Sequence, residues 1–271
     1  MTSFYTSLNG LRNAETDLAV ISHNIANAET AGFKKSSVQF SDIVASGSNL
    51  DPRLTIGIGA TVSSINQDFS LGSIEQTGRS LDLAIDGDGF FATRNDETGE
   101  FFFTRNGNLQ IDSSGNIQNS AEQRVQVFPT DAAGVVTSTT PQDALVPIAN
   151  AAGSDLSSVT IESNGIVQAS YADGSTLSVG RLALATFPAP DGLRSVGQTQ
   201  WRATGISGAP QYDNPGVGNR GQILSGAIER SNVDLAEEMV SLITAQRNFQ
   251  ANARAIDTAT QISQTIINLR N

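Results

Sequence analysis

Cysteine is absent from the 271-residue chain, which excludes disulfides, thiol nucleophiles and cysteine metal sites and leaves the redox compartment open. There is one histidine, His23, with no carboxylate pattern converging on it, so histidine-dependent catalysis has no constellation to build on. Aromatic residues are scarce at 6%, while Gly, Ser, Thr, Asn and Gln abound, a composition suited to thin β layers and many turns. Basic residues number 16 against 27 acidic ones, and the net charge of −11 repels nucleic acid and anionic membrane surfaces. Lys34 and Lys35 form the sole adjacent basic pair. No window approaches the eighteen or so apolar residues of a membrane span, and the N-terminus lacks the basic, apolar and small-residue order of a cleavable secretory signal. These absences alone describe a soluble cytoplasmic protein, unless a signal-independent export route operates.

What the chain does contain is organised around its two ends. Over residues 231–271, Leu235, Met239, Leu242, Ala245, Phe249, Ala253, Ile256, Ala259, Ile262, Ile266 and Leu269 recur at steps of three or four, the stripe of an amphipathic helix. Asn232 or Asp234 supplies the N-cap, with Glu237 placed as in a capping box. At about 1.5 Å per residue, roughly 37 residues give a helix about 55 Å long, more than a compact domain of this size covers. Over residues 3–30, Phe4, Leu11, Leu18 and Ile25 repeat every seven, with Leu8, Ala14 and Ile21 between them and Gly32 as a stop. The two stripes either close an internal antiparallel hairpin or form a seam between copies of the chain.

The expected fold class is α+β: a discontinuous coiled-coil domain from residues 1–32 and 232–271, and an all-β middle domain at 77–204. Extended linkers are expected at 33–76 and 205–231, with Gly-rich stretches at 47–59 and 205–221. Alternating strands in the middle domain are punctuated by Gly87-Asp88-Gly89, Asn106-Gly107, Ser114-Gly115-Asn116, Asn164-Gly165 and Asp173-Gly174. The Asn-Gly and Asp-Gly pairs suit tight hairpins. Residues 130–155, rich in Ala, Thr and Pro, read as a surface excursion.

Several patterns resemble chemistry without its context. Gly87, Gly89 and Ala92 match a dinucleotide fingerprint, but no helix follows, so the reading is a β turn. Asp82, Asp86 and Asp88 lack the spacing of a calcium loop and read as solvated acids on a hairpin. Trp201 reads as a core or edge aromatic rather than a sugar platform. No catalytic residue, metal site or cofactor is expected.

Three further stretches carry a family likeness. They are Ser3-Phe4-Tyr5-Thr6-Ser7-Leu8-Asn9-Gly10-Leu11 with Ile21-Ser22-His23-Asn24-Ile25-Ala26-Asn27, then Leu81-Asp82-Leu83-Ala84-Ile85-Asp86-Gly87-Asp88-Gly89-Phe90-Phe91 with Phe103-Thr104-Arg105-Asn106-Gly107, and Ser231-Asn232-Val233-Asp234-Leu235-Ala236-Glu237-Glu238 with Ala245-Gln246-Arg247-Asn248-Phe249. In this order they resemble the signatures of bacterial flagellar rod and hook proteins, with His23 standing where the family usually has asparagine. Within the family the motifs look most like the hook branch, whereas the length is nearer to the distal rod branch and leaves residues 130–155 where an extra outer domain would be inserted.

The resemblance implies a non-enzymatic structural subunit that polymerises helically into a hollow, flexible tube carrying torque from rod to filament. It implies a self-assembly seam at Phe4, Leu8, Leu11, Leu18, Ile21, Ile25, Leu235, Met239, Leu242, Phe249, Ile256 and Ile266. It also implies partners: copies of the same chain, the distal rod protein, the hook cap, the hook–filament junction protein and the flagellar type III export apparatus. The implied location is the extracellular flagellum, reached without signal cleavage and without membrane insertion. A secreted enzyme using Asp82, Asp86 or Asp88, or a glycan-binding surface module using Trp201 or Tyr212, stands as the more remote alternative. If the terminal helices drive assembly, a chain lacking residues 1–30 and 232–271 remains a folded β monomer, checked by circular dichroism and sedimentation; polymerisation of that chain would remove the helices from the assembly account.

Overall fold

Helix α1 spans Thr2–Ala26 and helix α2 spans Leu235–Leu269 in the computed structural model, which describes residues 2–44, 57–131, 134–218 and 220–269. The start of α2 is fixed by Asp234, whose Oδ1 accepts from the amides of Ala236 at 2.8 Å and Glu237 at 3.2 Å. The reciprocal half of a capping box is not made, because the Glu237 carboxylate pairs with Lys35 instead. The chain divides into two units, one of Met1–Ala28, Lys35–Asp68 and Val233–Asn271, the other of Glu29–Lys34 and Phe69–Asn232.

In the first unit, strands β1 (Ser36–Val44) and β2 (Gly57–Gln67) form an antiparallel hairpin with register shifts after Gln39 and Ile43. Both strands pack on α1, with the Asn13 amide donating to the Ala60 carbonyl at 2.8 Å. The stretch read as a linker thus carries a hairpin of its own; residues 47–56 of its Gly-rich stretch lie outside the described residues.

The second unit holds β3 (Ile74–Gln76), β4 (Leu83–Asp86), β5 (Phe90–Arg94), β6 (Phe101–Thr104), β7 (Leu109–Ile111), β8 (Ile117–Asn119), β9 (Arg124–Phe128), β10 (Gln142–Asp143), β11 (Leu156–Ile161) and β12 (Ile166–Tyr171). It continues through β13 (Thr176–Leu182), β14 (Leu184–Thr186), β15 (Arg194–Gly197), β16 (Gln200–Arg202), β17 (Gln211–Asp213), β18 (Gln222–Ser225) and β19 (Ala227–Glu229). The main sheet runs β11-β12-β13-β9-β5-β6-β16-β15, entirely antiparallel. Two small pairs, β18 with β4 and β19 with β3, bring residues 222–229 back onto residues 74–86. Residues 205–231, read as a linker, therefore contribute three strands.

Strand β5 explains the phenylalanine runs. Successive side chains of a strand point to opposite faces, so Phe91 enters a core with Leu83, Ile85, Val125, Val127, Leu182 and Ile223, while Phe90 and Ala92 enter a second core with Phe103, Ala185 and Trp201. Trp201 meets Phe69 and Phe90 edge-on, which makes it a core aromatic. In the 130–155 stretch, Ala144 and Val146 are fully buried in the larger core. Their small size hid that role in a segment of weak hydrophobic pattern.

Turn chemistry acts at four of the five expected positions, Gly87-Asp88-Gly89 between β4 and β5 being one. Gly115, Gly165 and Gly174 adopt positive φ in the β7–β8, β11–β12 and β12–β13 connections. The hairpin expected at Asn106-Gly107 does not form, because β6 pairs with β5 and β16 and β7 pairs with β8. Gly107 instead lets the backbone approach β4, its carbonyl accepting from the Leu83 amide at 2.9 Å. A Cβ there would lie 1.8 Å from the Leu83 carbonyl oxygen. Gly107→Ala therefore costs about 1–3 kcal/mol through forced backbone movement, whereas Gly205→Ala, whose Cβ meets nothing within 4 Å, is near neutral; urea unfolding of the two variants checks the contrast.

Candidate assembly surface

The two terminal helices meet on small and polar residues. Near one end of the pair, Asn24 donates to the Ser36 carbonyl at 2.8 Å and to Glu238 Oε2 at 3.2 Å, and accepts from the Ser36 amide at 2.9 Å. Near the other, Gly10 lies so close to Asn252 that a Cβ on it would stand 2.6 Å from Asn252 Oδ1. Asn24 faces Glu238 and Gly10 faces Asn252, so the helices are antiparallel. The contacting row on α2 is Glu238, Ala245 and Asn252, spaced by seven; on α1 it is Gly10, Ala14, Asp17, Ile21 and Asn24, at steps of three and four. Seven-residue spacing keeps one line of side chains on a partner helix.

The predicted seam residues divide around this row. Ile21 is buried, while Phe4, Leu8, Leu11, Leu18, Ile25, Leu242, Phe249 and Ile256 are half-buried. Leu235 and Met239 are exposed, Met239 by 50%. The side chain of Ile266 lies outside the described residues. Val240 at 65% and Ile243 at 51% exposure extend the open apolar face of α2, and Tyr5 at 60% adds to that of α1. A search for the most apolar stripe missed Gly10, Asn24, Glu238 and Asn252, because such residues mark close approach and hydrogen bonding; their recurrence every seven or fourteen positions was the available signal. Val240 and Ile243 were missed because they fall off the main stripe.

Lys35, Glu238 and Asp17 supply the charges of this unit's cleft. Lys35 Nζ reaches Glu238 at 2.8 Å and Glu237 at 3.3 Å. The hydrogen bond to Glu238 raises the Lys35 pKa above its ordinary value. Burial, then the nearby Glu238 carboxylate, raises the pKa of Asp17. Val20, Ile21 and Val38 line the same cleft, of about 340 Å³.

In the second unit the buried charges serve the scaffold. Glu229 accepts from Lys34 Nζ at 2.6 Å and the Gly72 amide at 3.0 Å, with Arg105 Nη1 at 3.5 Å. Asp82 is held by Arg79 and Thr77, and the Arg79 hydrogen bond lowers its pKa. Asp86 and Asp88 are exposed, and among the described residues no three acidic or histidine side chains gather as metal ligands. Gly87 and Gly89 turn the chain from β4 directly into β5, with no phosphate-facing helix. His23 is exposed in the last turn of α1. No helix among the described residues is long and apolar enough to cross a membrane.

A β unit inserted in sequence between two long terminal helices, with buried charges paired within the scaffold and apolar side chains exposed on the helices, has the organisation of a structural protein. Residues 4–34 match the family described as Flagella basal body rod protein, residues 84–169 the Flagellar hook protein FlgE/F/G D1 domain, and residues 224–269 the Flagellar basal body rod FlgEFG protein C-terminal region. The chain belongs to this flagellar rod and hook family. It is 35% identical to the flagellar basal-body rod protein FlgG of Bacillus subtilis, over 99% of this chain and 98% of that protein. It is 31% identical to FlgG of Buchnera aphidicola from Schizaphis graminum, over 98% and 99% of the two chains. It is 27% identical to the flagellar hook protein FlgE of Escherichia coli, over 99% and 100%.

The Asp17 shift has a pH consequence. A raised acid holds its proton more tightly in the folded helix pair than in the unfolded chain, so folding gains as pH falls through the raised pKa and lacks that gain at neutral pH. Asp17→Asn is expected to stabilise the protein at pH 7 by less than about 1 kcal/mol, since partial exposure screens the charge. The gain disappears below the ordinary carboxylate range, where Asp17 is protonated in both states; thermal unfolding against pH measures it.

Proposed function

We propose that the chain is a subunit of the flagellar rod that polymerises helically with copies of itself through the open faces of α1 and α2. The observation that carries the self-assembly is the row Leu235, Met239, Val240 and Ile243, which the chain's own packing leaves in water. In this reading the half-buried Phe4, Leu8, Leu11, Leu18, Ile25, Leu242, Phe249 and Ile256 complete a coiled-coil layer, each helix pair meeting the next. The contact is heterologous, which yields an open helical array rather than a closed ring. The rod assignment is supported by alignments to rod proteins that span 280 columns and nearly the whole of both chains.

A hook subunit is the second reading, favoured by the end-to-end hook match and by the motif at Ser3-Phe4-Tyr5-Thr6-Ser7-Leu8. That alignment runs to 409 columns, so a long stretch of hook sequence has no counterpart here. Either subunit would leave the cell through the flagellar type III apparatus; the hook reading adds the hook cap and the hook–filament junction protein as neighbours.

Electron microscopy of basal bodies from cells lacking this chain separates the readings: a truncated rod is expected, and an intact rod without a hook would establish the hook instead. Ile243→Asp is expected to leave monomer stability within about 0.5 kcal/mol, as for an exposed site, while abolishing sedimentable polymer. Unchanged polymerisation of that variant would exclude the α2 face from the contact.

A further inference from the structure

The cleft of the first unit, about 340 Å³, lies between α1, β1 and the first turns of α2. Its walls are apolar at Val20, Val38 and Val240 and charged at Asp17, Lys35 and Glu238. Two α2 carboxylates share Lys35, Glu238 at 2.8 Å and Glu237 at 3.3 Å, so the lysine is committed to them. Asp17 is half-buried, and its carboxylate makes no hydrogen bond or ion pair with any described residue. The nearby Glu238 carboxylate repels it. A carboxylate drawn partly out of water beside a second one calls for a cation.

Cations without partners stand further along the same helices. Arg12, Arg247 and Arg254 are exposed, and their guanidinium groups pair with no described residue. Charge is therefore divided along the antiparallel pair. Asp17, Glu237 and Glu238 outweigh Lys35 at the end where α2 begins, whereas Arg12, Arg247 and Arg254 outnumber Glu15 and Asp257 beyond it. Val240, Arg247 and Arg254 recur every seven positions, so they share one line of α2, and Val240 is both a wall of the cleft and part of the open face. Arg247 follows Thr244, the last α2 residue of the cleft, by less than one turn, yet Asp17 is left unpaired. Arg254 lies about 15 Å beyond Thr244 at roughly 1.5 Å per residue, out of reach of the cleft in its own chain.

We infer that the Asp17 cleft receives Arg254 of a second copy of this chain, the guanidinium donating to the Asp17 carboxylate and the aliphatic stem lying on Val20, Val38 and Val240. Arginine suits the place, because it keeps its charge when partly buried and its stem covers apolar surface. Charge complementarity selects the occupant: the cleft repels an acidic segment, and the line of α2 that forms one of its walls ends in a free arginine. A translation along that line carries the contact from copy to copy without closing. The inference rests on the self-assembly proposed above and gives its helix contact a register and a polarity.

Two variants of the full chain test the contact by exchange of charge. Asp17→Arg and Arg254→Asp each set like charges against one another, and each alone is expected to raise the protein concentration needed for sedimentable polymer at least roughly tenfold, the worth of one charge-assisted hydrogen bond. Arg254 is exposed, so its replacement leaves thermal unfolding of the monomer unchanged, and this arm does not depend on how well Asp17→Arg folds. An equimolar mixture of the two variants is expected to polymerise as the natural chain does, since each cleft then meets the opposite charge on its neighbour; a pairing within one chain gives no such rescue. If Arg254→Asp polymerises like the natural chain, or the mixture stays unassembled while both variants are folded, the contact is overturned and assembly through the apolar face stands. Rescue of Asp17→Arg by Arg247→Asp in place of Arg254→Asp would overturn the choice of arginine. A natural chain that yields no polymer at any concentration overturns both the contact and the self-assembly it rests on.

Discussion

One buried carboxylate gathers the second unit. Glu229 closes β19 and is fully buried, yet it accepts from Lys34, Gly72 and the neighbourhood of Arg105, residues drawn from three separate stretches of chain. Lys34 is itself fully buried, with Nζ also donating to the Ser70 carbonyl at 2.6 Å. Taking such charges from water costs several kcal/mol per ion, returned only when every donor and acceptor is matched. The pairing therefore adds little net stability but fixes position: a chain with Glu229 displaced leaves Lys34 buried without its counter-charge. Burial also lowers the pKa of Arg105, with Glu229 and Asp88 opposing that shift, so the guanidinium depends on the same carboxylate. The strands within residues 205–231 form by pairing with β14, β4 and β3, and the last of them places Glu229 in this network.

The helix pair uses a different economy. Its contacting row is made of Gly10, Ala14, Asn24, Ala245 and Asn252, which let two backbones approach closely and spend polar groups on register. Large apolar residues are displaced to the flanks. Leu242, Phe249 and Ile256 are consequently half-buried, and Met239, Val240 and Ile243 face water. Packing of this kind leaves a single pair incomplete as a core, since the larger share of its apolar surface remains available.

Much of this was legible in the residues. Periodicity located both helices to within a few positions, and the start of α2 was narrowed to Asn232 or Asp234 because a short acceptor side chain reaches the free amides there; the structure uses Asp234. The antiparallel β character followed from alternation and from Asn164-Gly165 and Asp173-Gly174. What alternation could not supply was pairing partners: Asn106-Gly107 has the composition of a hairpin turn, but Thr104 and Leu109 flank it in strands that pair elsewhere, and its glycine answers a steric demand from Leu83 that only the tertiary fold creates. The buried network was equally hidden. Lys34 and Glu229 are 195 positions apart, and an adjacent Lys34-Lys35 pair reads as surface charge until one lysine is shown to be buried and the other half-exposed.

The open α2 face bears on how such a subunit balances solubility against assembly. A net charge of −11 keeps free copies apart at long range, but that repulsion is screened beyond about 8 Å at physiological salt. Contact energy must come from short-range burial. Covering the half-exposed Met239, Val240 and Ile243 side chains contributes roughly 1 kcal/mol each at about 25 cal/mol per Å², too little to offset the loss of translational freedom in a single encounter. In a helical array each subunit meets several neighbours at once, and these small terms add within one geometry. Weak individual contacts on charged monomers therefore favour growth at an existing end over association in solution, the behaviour that the proposed self-assembly calls for.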